Sequence, residues 1–196
     1  MLKTIESTNG GFLTMSVKEQ CLKFNGEKVP GTVAATIKEI HHTFDEGSKK
    51  DKIKAGERVI FTMEAEGTDG EKKVFKFDAT PRTFPGKKFF AALGNLKTPF
   101  ISIQTKPEGD EHLTVFTGQR EEETATKTTW LKFAYTIDWA GGYLKDADGG
   151  EVSAGEICEK LAELIDVPFC SDYMQLKEAF EESNAEEQKT AAKKKK

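Results

Sequence analysis

Residues 58–80 read RVIFTMEAEGTDGEKKVFKFDAT. In the first nine, Val59, Phe61, Met63 and Ala65 fall at every second position, the spacing of a strand with one buried face. GTDGE (67–71) follows, and its Asp-Gly is a strong token of a hairpin turn. KKVFKFDAT (72–80) then pairs back. Its apolar set, Phe75, Phe77 and Ala79, matches the buried face of the neighbouring strand, so Lys72, Val74 and Lys76 face outward.

The surrounding sequence extends this hairpin into a β-rich body. Upstream, GGFLTMSV (10–17) and CLKF (21–24) are short strand candidates before the turn signal NGEKVPG (25–31). TVAATIKEIHHTF (32–44) is a long run rich in β-branched residues, and DEGSKKDKIKAGE (45–57) is a polar loop. Downstream, Pro81 and Pro85-Gly86 end the strand. KKFFAALGNLK (87–97) has helical spacing, with Phe89 or Phe90, Leu93 and Leu96 on its buried stripe. PFISIQT (99–105) and HLTVFTGQ (112–119) form a further strand pair, and QREEETATK (119–127) is a charged loop. TTWLKFAYTIDW (128–139) reads as one more strand, with Leu131, Phe133, Tyr135, Ile137 and Trp139 on its core face. From residue 152 the character changes. Ser153 and Glu156 form a capping-box pattern, with Ile157, Leu161, Leu164 and Ile165 behind it at helical spacing. A second helix is expected over about 171–182, with Tyr173, Leu176 and Phe180 on its apolar side.

The expected organisation is a β-barrel domain over 1–151 with an N-terminal hairpin and an extra strand. C-terminal helices over 152–182 pack on or beside it, and 183–196 form a disordered polar tail. The order strand–strand–strand–helix–strand–strand over 32–118 is the connectivity of an OB-like five-stranded Greek-key barrel. Other small barrels and α+β sheets produce the same string.

Composition narrows the functional classes. The chain has 196 residues and a net charge of −4, but the charge is unevenly spread. Residues 1–106 carry a net +5, residues 107–188 a net −14, and the final KTAAKKKK a net +5. Such asymmetry points to a polyanion-binding half beside an acidic half. No apolar run is long enough to span a membrane and no secretion signal is visible, so the expected location is the cytoplasm. Cys21, Cys158 and Cys170 show no metal-ligand spacing and read as free thiols.

The meander TVAATIKEIHHTF, RVIFTMEAE and KKVFKFDAT, the helix KKFFAALGNL (87–96) and the hairpin FISIQT (100–105) with HLTVFTGQ together resemble single-stranded DNA-binding proteins of bacteriophage type. The resemblance covers a little under half of the chain and rests on pattern. It implies an OB domain of about this size, enlarged by extra strands and helices, acting in replication or recombination in a host cytoplasm. Such proteins often end in an acidic tail with an apolar tip that recruits partners; this chain ends in AAKKKK.

No catalytic constellation is visible. His41 and His42 are adjacent on a strand and point to opposite faces, and His112 reads as a solvated surface residue. Asp146, Asp148 and Glu151 miss the spacing of a calcium loop and read as a polar turn. Neither metal nor cofactor is expected. Single-strand binding instead asks for basic groups against phosphates and exposed aromatic faces against bases. Lys72 and Lys76 meet the first need from the outer face of their strand. In PRTFPGKK (81–88), read as a loop and helix start, Arg82, Phe84, Lys87 and Lys88 can all reach a ligand. Lys87 and Lys88 at a helix start oppose its dipole, as an anion there would not. Trp130 and Lys132 share the polar face of their strand, where Trp130 either stacks on a base or covers the barrel rim. Phe116 lies outward with Thr114. Lys49, Lys50, Lys52 and Lys54, in the loop that flanks an OB ligand cleft, are secondary candidates.

The expected function is a non-enzymatic protein binding single-stranded DNA, or RNA by the same chemistry, with little sequence preference. A replication or recombination partner could be held through the acidic C-terminal region. The alternative is a structural or protein-interaction module built on those acidic helices.

Overall fold

A computed structural model describes residues 10–16, 18–29, 31–48, 54–66, 70–108 and 112–193, with side chains at 108, 112 and 187–193 outside the description. The hairpin opening the sequence reading is β5 (Gly56–Glu66) with β6 (Lys72–Ala79), paired antiparallel with Phe61 opposite Phe77 and Met63 opposite Phe75. All four side chains are buried. The phenylalanines of this strand are core because the period of two places them opposite core partners; residues 67–69 of the connecting turn lie outside the description.

On the other side of β5 lies β4 (Thr32–Asp45), a 14-residue strand that pairs with two neighbours in succession. Its first part pairs with β7 (Phe100–Glu108), which pairs in turn with β8 (His112–Gln119). Further along the same strand, Ile40, His41 and His42 pair in parallel with β13 (Phe169–Ser171). The remaining strands are β1 (Gly11–Ser16), β2 (Cys21–Phe24) and β3 (Glu27–Val29) at one end, and β9 (Thr129–Trp130) at the other. The order across the sheet is β3-β2-β1-β6-β5-β4-β7-β8-β9. A separate small sheet is built from β10 (Thr136–Asp138), β11 (Tyr143–Lys145) and β12 (Glu151–Val152).

The fold is mainly β with helical additions, as expected, but the large sheet is open and mixed. Closing five strands into a barrel requires β6 and β8 to pair with each other. Instead β1 occupies the free edge of β6, in parallel, and β9 occupies that of β8. The inserted N-terminal hairpin satisfies the backbone groups that closure would have used.

Helix α1 (Phe84–Leu93) begins earlier than the apolar spacing indicates. Thr83 caps it by accepting from Gly86 N at 3.1 Å, and Pro85 sits in the first turn, where its missing N–H costs nothing. Phe84 is therefore helical, and Lys87 and Lys88 lie a turn inside the helix, which removes the dipole argument for them. Phe89 and Phe90 are both buried, packed edge-on to each other and against Phe61. In α2 (Ala154–Ile165) the Ser153–Glu156 capping box is present in full. Its Ala154, Ile157, Cys158, Leu161, Ala162 and Ile165 join the same core as the sheet, whereas Leu164 is exposed. α3 (Tyr173–Lys193) continues beyond residue 182, where a tail was expected to begin. Its early residues pack on β4 through Tyr173 and Phe180 against Phe44, while Leu176 is exposed.

Residues 128–139 are not one strand. After Trp130 the Leu131 amide still donates to Thr117 O, but the Ala134 amide donates to Ala91 O, drawing the chain across α1 before β10 begins. The alternation of Leu131, Phe133, Tyr135, Ile137 and Trp139 therefore does not define a core face. Phe133 and Trp139 are half exposed, while Leu131, Tyr135 and Ile137 pack partly against the core.

Candidate nucleic-acid interface

Outward-facing residues of β8 begin the candidate surface. Leu113, Val115 and Thr117 point into the protein, so Thr114, Phe116 and Gly118 point out. Gly118 pairs with Trp130 of β9. A Cβ on Gly118 would stand 2.3 Å from Thr128 Cγ2 and 3.0 Å from Trp130 Cε3, so the absent side chain is the space in which the indole lies. Trp130 meets Phe116 nearly edge-on, with centroids 6.2 Å apart and planes at 72°. The two rings remain 43% and 41% exposed.

Two residues before Phe116, Thr114 Oγ1 accepts from Lys88 Nζ at 2.9 Å. The same ammonium stands 4.5 Å from the centre of the Phe84 ring, a cation–π distance. Phe84 stacks on Trp139 at 4.6 Å and 22°, and Trp139 is 51% exposed. A chain of contacts therefore runs Trp130–Phe116, then Thr114–Lys88–Phe84–Trp139, from the last strand of the sheet across α1 to the turn after β10. Phe84, Lys88, Phe116 and Trp130 were each named from sequence; the structure brings all four onto one ridge. Trp139 joins it although alternation had assigned it to the core. Lys132 is exposed beside the ridge, but it does not share a strand face with Trp130, since the strand ends there. Its carbonyl is held by Asn95 Nδ2 at 3.0 Å. Phe133, next in sequence, is also exposed.

Lys72 and Lys76 lie elsewhere, on the outer face of β6. Lys72 Nζ bonds both carboxylate oxygens of Glu123 at 3.0 Å and lies 3.2 Å from Glu64. These hydrogen bonds, Glu123 first, hold its amine above the ordinary lysine range. Glu123 belongs to the charged loop after β8, which folds back over the sheet because Arg120 anchors it. The Arg120 guanidinium is buried and donates to Ala35 O at 3.1 Å and to Glu123 O. Burial draws it below the usual arginine range. Glu123 also accepts from Thr36 Oγ1 at 3.3 Å, and the Lys72 bond lowers its carboxyl. Lys72 is thus already neutralised by an acidic loop.

Lys76 is exposed and has no ion partner among the described residues; it lies between Phe12 on β1 and Thr62 on β5. Phe12 is itself exposed. This aromatic was passed over in the sequence, although GFLTMS places Leu13 and Met15 on one face and Phe12 on the other.

Arg82 and Lys87 face neither surface. Both line a cavity of about 560 Å3 together with His42, Glu57, Tyr143 and Tyr173. Arg82 Nη2 donates to Asp45 at 2.9 Å, and Lys87 Nζ donates to Arg82 O at 3.2 Å. Lys54 is exposed ahead of β5, and Lys49, Lys50 and Lys52 lie outside the described residues. The Asp146 turn is backbone-capped, its Oδ1 accepting from Asp148 N at 3.0 Å and Gly150 N at 2.8 Å. Among the described residues no group of three acidic, histidine or cysteine side chains is placed to hold a metal, and no helix is long and apolar enough to cross a membrane. No family model, curated protein or solved structure matches the chain.

Proposed function

We propose that this protein binds single-stranded DNA with little sequence preference, along the ridge from Trp130 to Trp139. The observation that carries this reading is the pair of ring contacts, Trp130–Phe116 with both rings exposed and the partly buried Phe84 on the exposed Trp139, joined through Lys88. Single-strand binding combines stacking surfaces with cations that follow the backbone. A ridge of aromatic faces with an ammonium at its middle and Lys132 beside it supplies both. Lys76 with Phe12 forms a lesser patch of the same chemistry on the outer face of the sheet.

The strand order β6-β5-β4-β7-β8, with α1 between β6 and β7, supports an OB-like meander–helix–hairpin whose closing seam is filled by β1 and β9. OB-folds are partly open, and their second and third strands carry ligand contacts. Here the corresponding face is that of β5 and β6, where Lys76 lies. The setting implied by the resemblance, phage replication or recombination, is part of the same reading.

The test is an anisotropy titration of a labelled ~30-mer oligo-dT at two salt concentrations, long enough to exceed a site of roughly 4–16 nucleotides. Three or four phosphate contacts give a slope of about −2 to −3 in log affinity against log salt. An absence of binding at low salt sinks the proposal. Oligo-rU in parallel separates DNA from RNA.

A protein-interaction role for the acidic helices rests on a different observation: Leu164 of α2 and Met174 and Leu176 of α3 are exposed. Deleting α3 would then abolish capture of a replication or recombination partner while leaving oligo-dT binding intact.

A further inference from the structure

The cavity that takes Arg82 and Lys87 away from the ridge lies beside His42 of β4, Glu57 of β5 and Lys87 of α1. The β6–α1 turn, the β11–β12 hairpin, the first turn of α2, β13 and the start of α3 complete its wall. Its volume of about 560 Å3 falls within the ~300–1,000 Å3 of small-molecule sites.

Its charges are arranged unequally. Three amides at the start of α2 are already occupied: Gly155 N donates to Glu57 Oε1 at 2.8 Å, and Ser153 and Glu156 cap each other. The Glu57 carboxylate already stands where an anion would meet that helix end. Lys87 differs, because its partner is a carbonyl and no carboxylate meets it among the described residues. Burial alone pulls its amine below the ordinary lysine range, the cost of a desolvated cation lacking a counter-charge. Arg82 spends one arm on Asp45, and its buried Nε has no acceptor. Two adjacent cations therefore line one end of the cavity, and Lys87 is the one that meets no carboxylate among the described residues. Gly142 lines the cavity beside Lys87 with a positive φ of 81°, which favours glycine, and a Cβ built there would stand 4.0 Å from the ammonium.

The rest of the wall carries three rings, Tyr143, Phe169 and Tyr173, beside His42 and the carboxylates of Glu57, Glu151, Glu156 and Glu159. His42 is stacked on Tyr173 at 4.6 Å, and its Nε2 lies 3.0 Å from Glu57 without hydrogen-bond alignment. Glu151 and Glu159 stand on the exposed side of the lining. Those carboxylates suit the N–H and O–H donors of a base or sugar and oppose a second phosphate.

We propose that this cavity binds a nucleoside 5′-monophosphate, with the phosphate on Lys87 and Arg82 and the base among the tyrosines. The site is separate from the ridge and does not depend on the strand-binding reading. Its ligand is either a free nucleotide or the 5′ end of a strand, which present the same chemistry.

Calorimetric titration with dTMP, thymidine and inorganic phosphate tests it. Binding of dTMP that exceeds both controls, and that falls at least about tenfold in Lys87→Met with recovery in Lys87→Arg, supports the site; the loss of one charge-assisted bond sets that scale. Equal binding of thymidine, phosphate alone binding as tightly as dTMP, or no dTMP binding at millimolar concentration overturns it. Amide shifts on the unmutated protein guard against a variant that fails to fold. They are expected at Lys87, Gly142 and Gly155, and shifts confined to Phe116 and Trp130 contradict the assignment. Comparing 5′-phosphorylated with 5′-hydroxyl oligo-dT then identifies the source. A preference for the phosphorylated strand that disappears in Lys87→Met marks the strand end, and equal binding of the two beside tight dTMP binding marks the free nucleotide.

Discussion

Trp130→Ala separates a stacking ring from a structural one, because the structure sets different magnitudes for the two roles. A little under half of Trp130 is exposed, and its covered part lies over Gly118 and against Phe116. Removing a half-covered ring forfeits about half of the ~1.5–3 kcal/mol of a fully buried large side chain. The edge-to-face contact with Phe116 adds roughly 0.5–1.5 kcal/mol. A domain with a total stability of about 5–15 kcal/mol survives that loss, so the variant stays folded by far-UV circular dichroism with a lowered urea midpoint. Binding loses more in proportion. One stacked base contributes ~1–3 kcal/mol, a weakening of about 5- to 150-fold in anisotropy with oligo-dT. The chain has two tryptophans, so in this variant Trp139 is the remaining indole. Quenching of its emission by oligo-dT reports the Phe84 end of the ridge directly. A folded Trp130→Ala protein that binds within about twofold of the parent refutes the stacking role.

Three further outcomes follow from particular contacts. Glu123→Gln removes one of the two carboxylates that hold Lys72 and leaves Glu64, so oligo-dT binds more tightly and the salt slope steepens by at most about 0.7, the increment of one single-strand phosphate contact; an unchanged slope shows that Lys72 faces no phosphate. Gly86→Ala places a Cβ 1.9 Å from Thr80 O, forcing α1 outward. A loss of about 1–3 kcal/mol in a thermal melt is expected, and a melting temperature equal to the parent's contradicts the packing. The Asp138 carboxyl is lowered to about 2 by the Gly141 amide and then by Lys145. Its folded value lies below its unfolded one, so its contribution to stability is complete above about pH 4 and is lost as pH falls through about 2; a carboxyl carbon-13 titration with a midpoint near 4 would show those bonds absent in solution.

How much was legible depended on whether local period and tertiary partner agreed. β5, β6 and α1 were readable because each buries one periodic face on the core, so Phe61, Phe75, Phe77 and Phe89 follow from spacing. Residues 128–139 were not, since period two persists by chance across a chain that leaves the sheet at Leu131 and docks on Ala91. No local signal announces that departure. The ridge was half legible. Phe84, Phe116 and Trp130 were outward by alternation or by position, but their junction through Lys88 and Thr114 joins residues 26 apart in the chain. The division of Lys87 from Lys88 was illegible for another reason. Adjacent residues on a helix point about a quarter-turn apart, and the cavity on one side is made by strands and helices far along the sequence.

The strand that carries Trp130 is two residues long and pairs with β8 at Gly118 and Gln119. Short edge strands open at little free-energy cost, well below global unfolding. The indole is thus mounted on the least anchored rung of the sheet, like a latch on a light spring. A ligand pressing on that ring also presses β9 against β8. Amide exchange at Leu131, whose N–H donates to Thr117 O of β8, is therefore a gauge of occupancy at the ring.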